Sequence, residues 1–127
     1  MDWYLMTRDG WSISVHQFIE LLNSRWPLVK FKSAFSSEGF RSIDFQLEMS
    51  NSTIDGSLGG EGSTITYNGA MRDCAEFALW YGSMISPEAK PLMLFDEGYN
   101  HSIELGEKTT LEDILLAFKN KPSQQNT

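Results

Sequence analysis

The sequence predicts an α+β fold in which one mostly antiparallel sheet carries about three packed helices. Two patterns predict it. Apolar residues alternate with polar ones through residues 41–68, as in half-buried strands, and three other segments have apolar residues at helical spacing. The predicted order of elements is β-α-β-β-β-β-α-β-β-α. A chain of 127 residues that is 41% hydrophobic suits one domain, which we place at 1–120, with 121–127 as a polar tail.

The first predicted elements are a strand and a helix. An apolar, aromatic run at 3–7 predicts the strand, and Arg8-Asp9-Gly10 is typical of the turn after it. Ser14 and Gln17 have the spacing of a capping box, which predicts that the helix begins there. Pro27 then ends the helix. The residues of its apolar stripe are Val15, Phe18, Ile19, Leu22 and Trp26.

Four strands should follow, at 28–35, 41–50, 53–59 and 63–68, the last three as an antiparallel meander. The segment 41–50 gives the clearest pattern. One side carries Ile43, Phe45, Leu47 and Met49, and the other carries Asp44, Gln46 and Glu48. It therefore predicts a strand with a buried face and an acidic, solvated face.

The second helix is predicted over 71–85 and is apolar on most sides, which indicates a core position. Asp73 with Glu76 is a candidate cap, and Asn68 is an alternative start. Cys74 lies on this helix, where a cysteine is usually inert.

The continuous apolar run 92–95 predicts a central strand buried on both faces, with 101–105 as its hairpin partner. Thr109 and Glu112 have capping-box spacing, which predicts the start of the last helix. The stripe of that helix is Leu111, Ile114, Leu115 and Phe118.

Charge is distributed unevenly along the chain. Residues 44–113 contain thirteen carboxylates and three cations, whereas the whole chain has a net charge of −7. A compact domain with an anionic surface repels nucleic acid and anionic membranes and attracts a basic partner. We therefore expect a protein partner, and neither a nucleic acid nor a membrane.

No catalytic constellation is evident, so we predict no enzyme, no catalytic residue, no metal site and no cofactor. The two histidines, His16 and His101, are not in a metal-binding spacing, and we interpret His101 as a turn residue. A lone cysteine excludes an internal disulfide. The start of the sequence lacks the basic, then apolar pattern of a signal peptide, and no apolar run is long enough to span a membrane, so we expect a cytoplasmic protein.

Residues 70–118 resemble small bacterial immunity proteins, the antitoxins of polymorphic-toxin systems such as contact-dependent growth inhibition and Rhs-type systems. The segments that carry the resemblance are 77–81, 91–99 with its Leu-Phe-Asp-Glu-Gly-Tyr sequence, 103–105 and the threonine-led last helix. The resemblance implies a cytoplasmic protein that binds one cognate toxin domain and blocks it. Many such toxins are nucleases with basic clefts, which suits an acidic inhibitor.

The sequence thus favours an immunity protein that neutralises a cognate toxin domain, most simply a nuclease, through an acidic surface. The predicted contact residues are Asp44, Glu48, Asp55, Glu61, Asp96, Glu97 and Tyr99. One alternative is a small hydrolase or isomerase that pairs Asp96 or Glu97 with Asp44 in a cleft. The other is an acidic adaptor that assembles through this surface or through an edge strand.

Overall fold

The structure, a computed structural model, describes residues 2–35, 41–59, 61–98 and 100–119. The predicted tail at 121–127, the turn at 36–39 and Tyr99 lie outside the described residues. The elements are β1 (Trp3–Met6), α1 (Val15–Arg25), β2 (Lys30–Phe35), β3 (Arg41–Glu48), β4 (Thr53–Leu58), β5 (Thr64–Asn68), α2 (Met71–Met84), a short 3₁₀ helix (Pro87–Ala89), β6 (Leu92–Asp96), β7 (Ser102–Leu105) and α3 (Leu111–Lys119).

The seven strands form one sheet in the order β2-β3-β4-β5-β1-β6-β7, and each neighbouring pair is antiparallel. The predicted α+β class and element order are confirmed. The meander is also confirmed, since β2 to β5 follow one another across the sheet. The chain's first strand then lies between β5 and β6, so β1 joins the meander to the β6–β7 hairpin.

All three helices pack on one face of the sheet through aromatic contacts. Phe18 of α1 lies 5.5 Å from Phe45 of β3, between ring centroids. Phe77 of α2 lies 5.0 Å from Tyr67 of β5. Phe118 of α3 contacts Trp3 of β1 edge-on at 4.7 Å. No helix in the described part of the chain covers the other side of the sheet, which we call the open face.

The capping box that begins α1 is confirmed, and α2 begins at the predicted residue Met71, but the predicted caps of α2 and α3 are wrong. Ser14 Oγ accepts from the Gln17 N–H at 3.1 Å, and the Gln17 side chain accepts from the Ser14 N–H. The N-cap of α2 is Ala70, which has no capping side chain. For α3, the reciprocal bonds join Thr110 to Asp113, because Thr109 Oγ1 instead accepts from the Gly106 N–H.

The interpretation of β6 as a central strand buried on both faces is also wrong. It is next to the edge strand β7, and its burial alternates along the strand. Leu92, Leu94 and Asp96 face the helices and are buried, whereas Met93 and Phe95 lie on the open face and are half-buried. A continuous apolar run therefore contributes to both the core and the open face.

Candidate partner-binding surface

Three of the predicted contact residues lie together on the open face. Asp44 and Glu48 project from β3 and Asp55 from β4, and all three are exposed. Residue 46 of β3, between the two β3 acids, lies opposite Asp55, so the three carboxylates occupy one corner of the face. The Gln46 amide donates to Asp55 at 2.8 Å, and the Thr53 hydroxyl donates to Glu48 at 2.9 Å. These bonds hold the carboxylates in place and leave them exposed to solvent.

Glu97, the fourth of these residues, extends the acidic surface along the same end of the sheet. It is exposed, and its carboxylate accepts from the Asp2 N–H at 2.9 Å. The Asn68 amide donates to the Asp2 carboxylate at 3.4 Å, and Asn68 lies opposite Asp55. A polar row therefore runs from Asp55 through Asn68 and Asp2 to Glu97. Asp2 was not among the predicted contact residues, because only the pairing of β1 with β5 and β6 brings it to this row.

Taking the described residues alone, the open face and its margins carry six carboxylates and two lysines. Glu104 of β7 adds the sixth carboxylate, on the far side of the face from Asp44. Lys30 and Lys32 both project from the edge strand β2, next to Gln46 and Asp44. The face is therefore acidic overall, and its cations are confined to one edge. Charged side chains on an edge strand also discourage strand-to-strand assembly there.

Two other predicted contact residues lie elsewhere. Glu61 is exposed in the turn between β4 and β5, at the opposite end of the strands from Asp55. Asp96 faces the core at 5% exposure, so its predicted place on an exposed contact surface is wrong. Asp96 ends β6, and the alternation of burial along that strand turns its side chain toward the helices. Tyr99, the remaining predicted contact, lies outside the described residues.

Asp96 is bound by the residue that begins the return strand. Its carboxylate accepts from the His101 N–H at 2.9 Å, and His101 Nδ1 lies 3.0 Å from the other oxygen. Burial alone would raise the pKa of Asp96, but the His101 backbone and ring, with the Asn100 backbone, lower it overall. A carboxyl group held ionised in this way stabilises the hairpin and is a poor general acid.

The carboxylate pairs required by the hydrolase alternative are not brought together. Asp44 lies on the open face and Asp96 on the core face, so the sheet separates them. The strand β3, which carries Asp44, and the strand β6, which ends just before Glu97, are four strand spacings or about 19 Å apart, whereas glycosidase-type pairs lie within about 10 Å. A cavity of about 590 Å³ lies between α2 and the β7–α3 loop, and its charged lining residues are Lys90 and Glu107.

Other reactive groups are either buried or dispersed. Cys74 is fully buried, and burial raises the pKa of its thiol to about 12, with a further contribution from the Asp73 carboxylate. In the described residues, no group of three or more His, Cys, Asp or Glu side chains could hold a metal ion.

No helix in the described part of the chain is both long and apolar enough to cross a membrane. Comparisons with protein families, with curated proteins and with solved structures found no match.

Proposed function

We propose that this chain is an immunity protein that binds a cognate bacterial toxin domain in the cytoplasm and neutralises it. The observation that carries the proposal is the gathering of Asp44, Glu48 and Asp55 on one solvated corner of an open sheet face. Such a surface complements a basic one, such as the substrate cleft of a nuclease. The resemblance of residues 70–118 to immunity proteins supports the same function.

The acidic corner acts mainly on the rate of encounter. Complementary charges steer two proteins together, and their effect weakens as salt screens them over about 8–10 Å. The fixed positions of the Asp55 and Glu48 carboxylates, each accepting one side-chain bond within the sheet, reduce the ordering needed when a cationic partner arrives. The edge lysines Lys30 and Lys32 limit the orientation in which a basic partner docks, because they repel it from β2.

The test uses the purified C-terminal domain of a secreted toxin-like protein encoded beside this gene. We expect Asp44→Lys with Asp55→Lys to lower the association rate about tenfold or more at low salt. Glu88→Lys with Glu107→Lys, at two exposed positions outside the strands, is the matched double charge reversal and should leave the rate nearly unchanged. Loss of protection in cells that produce the toxin domain should follow the same order.

Two results would contradict the proposal. One is a wild-type protein that neither binds this domain nor protects cells against it. The other is binding of the same strength for the wild type and the Asp44/Asp55 double reversal at every salt concentration, which would exclude the acidic face as the contact.

A further inference from the structure

A cavity of about 360 Å³ lies beside the turn that joins α1 to β2, and we call it the turn groove. Its apolar lining comes from the turn residues 26–29 and from Leu47 of β3. The Val29 N–H donates to the Trp26 carbonyl at 3.0 Å, which closes the turn around Pro27 and Leu28. Leu28 therefore lies at the tip of the turn, where it is 91% exposed.

Leu28 is a large apolar side chain at a position where turns favour other residues. The central positions of turns usually carry Gly, Pro, Asn, Asp or Ser. Among the large hydrophobic side chains of the described residues, Leu28 is the most exposed, followed by Leu116 at 57%. The turn is closed by a backbone bond, and the Leu28 side chain adds nothing to the core, so it is free to contact another molecule.

Trp26 gives the turn groove a fixed wall. Its ring stacks on Phe77 at 5.8 Å and meets Trp80 edge-on at 4.7 Å, between ring centroids. The Arg25 guanidinium lies over the same ring, 5.2 Å from its centroid. A tryptophan held in this way loses little freedom when a partner binds, and tryptophan is enriched among the residues that contribute most to protein interfaces.

The lining of the turn groove suits an uncharged occupant. Its charged residues are Arg25, Lys30 and Glu48. Glu48 already accepts from the Thr53 hydroxyl, and Arg25 already lies over Trp26. A charged side chain entering the groove would lose its hydration against apolar walls, whereas an apolar side chain would gain from the same contact.

Glu48 joins the turn groove to the acidic corner. It lines the groove, and it also belongs with Asp44 and Asp55 to the surface proposed to meet the toxin domain. Gln46, which donates to Asp55, lines the groove as well. A partner that lies over the acidic corner therefore also reaches the turn groove.

We propose that the turn groove receives an apolar side chain of the toxin domain, from a segment whose neighbouring basic residue binds Glu48. This inference rests on the proposed function. The volume of about 360 Å³ is at the lower end of the range for binding pockets, roughly 300–1,000 Å³, and is enough for one large side chain. The acidic corner then governs the rate of encounter, while burial of Leu28 and the groove governs how long the complex lasts.

The first test compares Leu28→Ala and Leu28→Ser with Leu116→Ala, a matched control on α3, using the same toxin domain. Both leucines are exposed, so these substitutions should change folding little, which urea unfolding checks. We expect each Leu28 variant to raise Kd about tenfold or more, through faster dissociation. The association rate and its dependence on salt should stay as in the wild type, and Leu116→Ala should bind normally.

A second test locates the contact with an introduced thiol. Cys74 is the one cysteine of the chain and is fully buried, so a thiol reagent reports on an added cysteine. Leu28→Cys should react quickly in the free protein and about tenfold or more slowly under saturating toxin domain, because reactivity requires access. Leu116→Cys should react at one rate in both, as measured by the mass of this chain.

The outcomes separate this inference from the proposed function. Weaker binding by both Leu28 variants, together with protection of Leu28→Cys, supports the inference. If the Leu28 variants bind as the wild type does, or if Leu28→Cys stays reactive in the complex, the inference is wrong. The proposed function still stands in that case, provided that Asp44→Lys with Asp55→Lys weakens binding. If the wild type does not bind the toxin domain, both are wrong.

Discussion

The start of α2 depends on a buried carboxylate that contacts a distant hairpin. Asp73 is completely buried, and it accepts from the Asn51 N–H at 3.1 Å, the Asn51 amide at 3.1 Å and the Ser52 hydroxyl at 2.6 Å. The Ser52 oxygen in turn accepts from the Ala70 N–H at 2.8 Å, at the N-cap of the helix. We predict that Asp73→Ala destabilises the fold by disconnecting the β3–β4 hairpin from α2.

The magnitude follows from the donors that lose their acceptor. In Asp73→Ala, three N–H or O–H groups lose their carboxylate acceptor. Each such loss in a partly buried site costs about 1 kcal/mol or more. The substitution should therefore lower the free energy of unfolding by about 3 kcal/mol. Asp73→Asn keeps one acceptor oxygen and should lose roughly half as much. A domain of this size has roughly 5–15 kcal/mol of stability, so the alanine variant should remain folded in water.

Urea unfolding followed by far-UV circular dichroism measures these differences. Glu76→Ala is the matched control, because Glu76 lies one turn later on α2 and makes an exposed ion pair with Arg72 at 3.5 Å. Such a pair contributes less than about 0.5 kcal/mol, so the control should unfold close to the wild type. If Asp73→Ala and Glu76→Ala have the same unfolding midpoint, the hairpin contact does not stabilise the fold and our reasoning is wrong.

Three further predictions concern packing, pH and thiol reactivity. A Cβ at Gly56 would lie 2.5 Å from the Phe45 ring, so Gly56→Ala should cost about 1–3 kcal/mol in urea unfolding, whereas Gly59→Ala, whose nearest contact is 3.5 Å away, should cost less than 1 kcal/mol. The folded state lowers the pKa of Asp96, so the ionised side chain stabilises the fold. This contribution to the free energy of unfolding is complete above the unfolded pKa near 3.8, and it is lost as pH falls through the lower pKa of the folded state. The urea midpoint of Asp96→Asn should therefore fall less than that of the wild type between pH 5 and about pH 2, and equal slopes would contradict this. The Cys74 thiol should react with a disulfide reagent at neutral pH only after urea unfolds the protein, and fast reaction of the native protein would contradict its burial.

The sequence predicted correctly those features that depend on residues close together in the chain. The capping box of Ser14 and Gln17 is complete within four residues, so the start of α1 could be read directly. Alternation along 41–50 identified the core face of β3 and placed Asp44 and Glu48 on the solvated side. Asp55, another of the seven predicted contact residues, joins these two carboxylates through the pairing of β4 with β3.

Contacts between distant segments produced the features that the sequence could not predict. The N–H of Ala70 is satisfied by Ser52, eighteen residues earlier, so no local cap signals the start of α2. Asp96 follows an apolar run, and only the alternation of β6 and its bonds to His101 show that it faces inward. The pairing of β1 with β6, which places Tyr4 opposite Phe95, joins strands some ninety residues apart, and no local signal predicts it.

The two faces of the sheet separate the residues that stabilise the fold from those of the proposed contact surface. Ile43, Phe45 and Leu47 of β3 are buried against the helices, whereas their neighbours Asp44 and Gln46 reach only solvent and adjacent strands. Substitutions on the open face therefore leave the packing of Phe18, Phe77 and Phe118 unchanged, and sites without shared partners affect stability independently. Such a scaffold lets the open face change to match one partner while the fold is kept. The proposed function, binding of one cognate toxin domain, would use this independence.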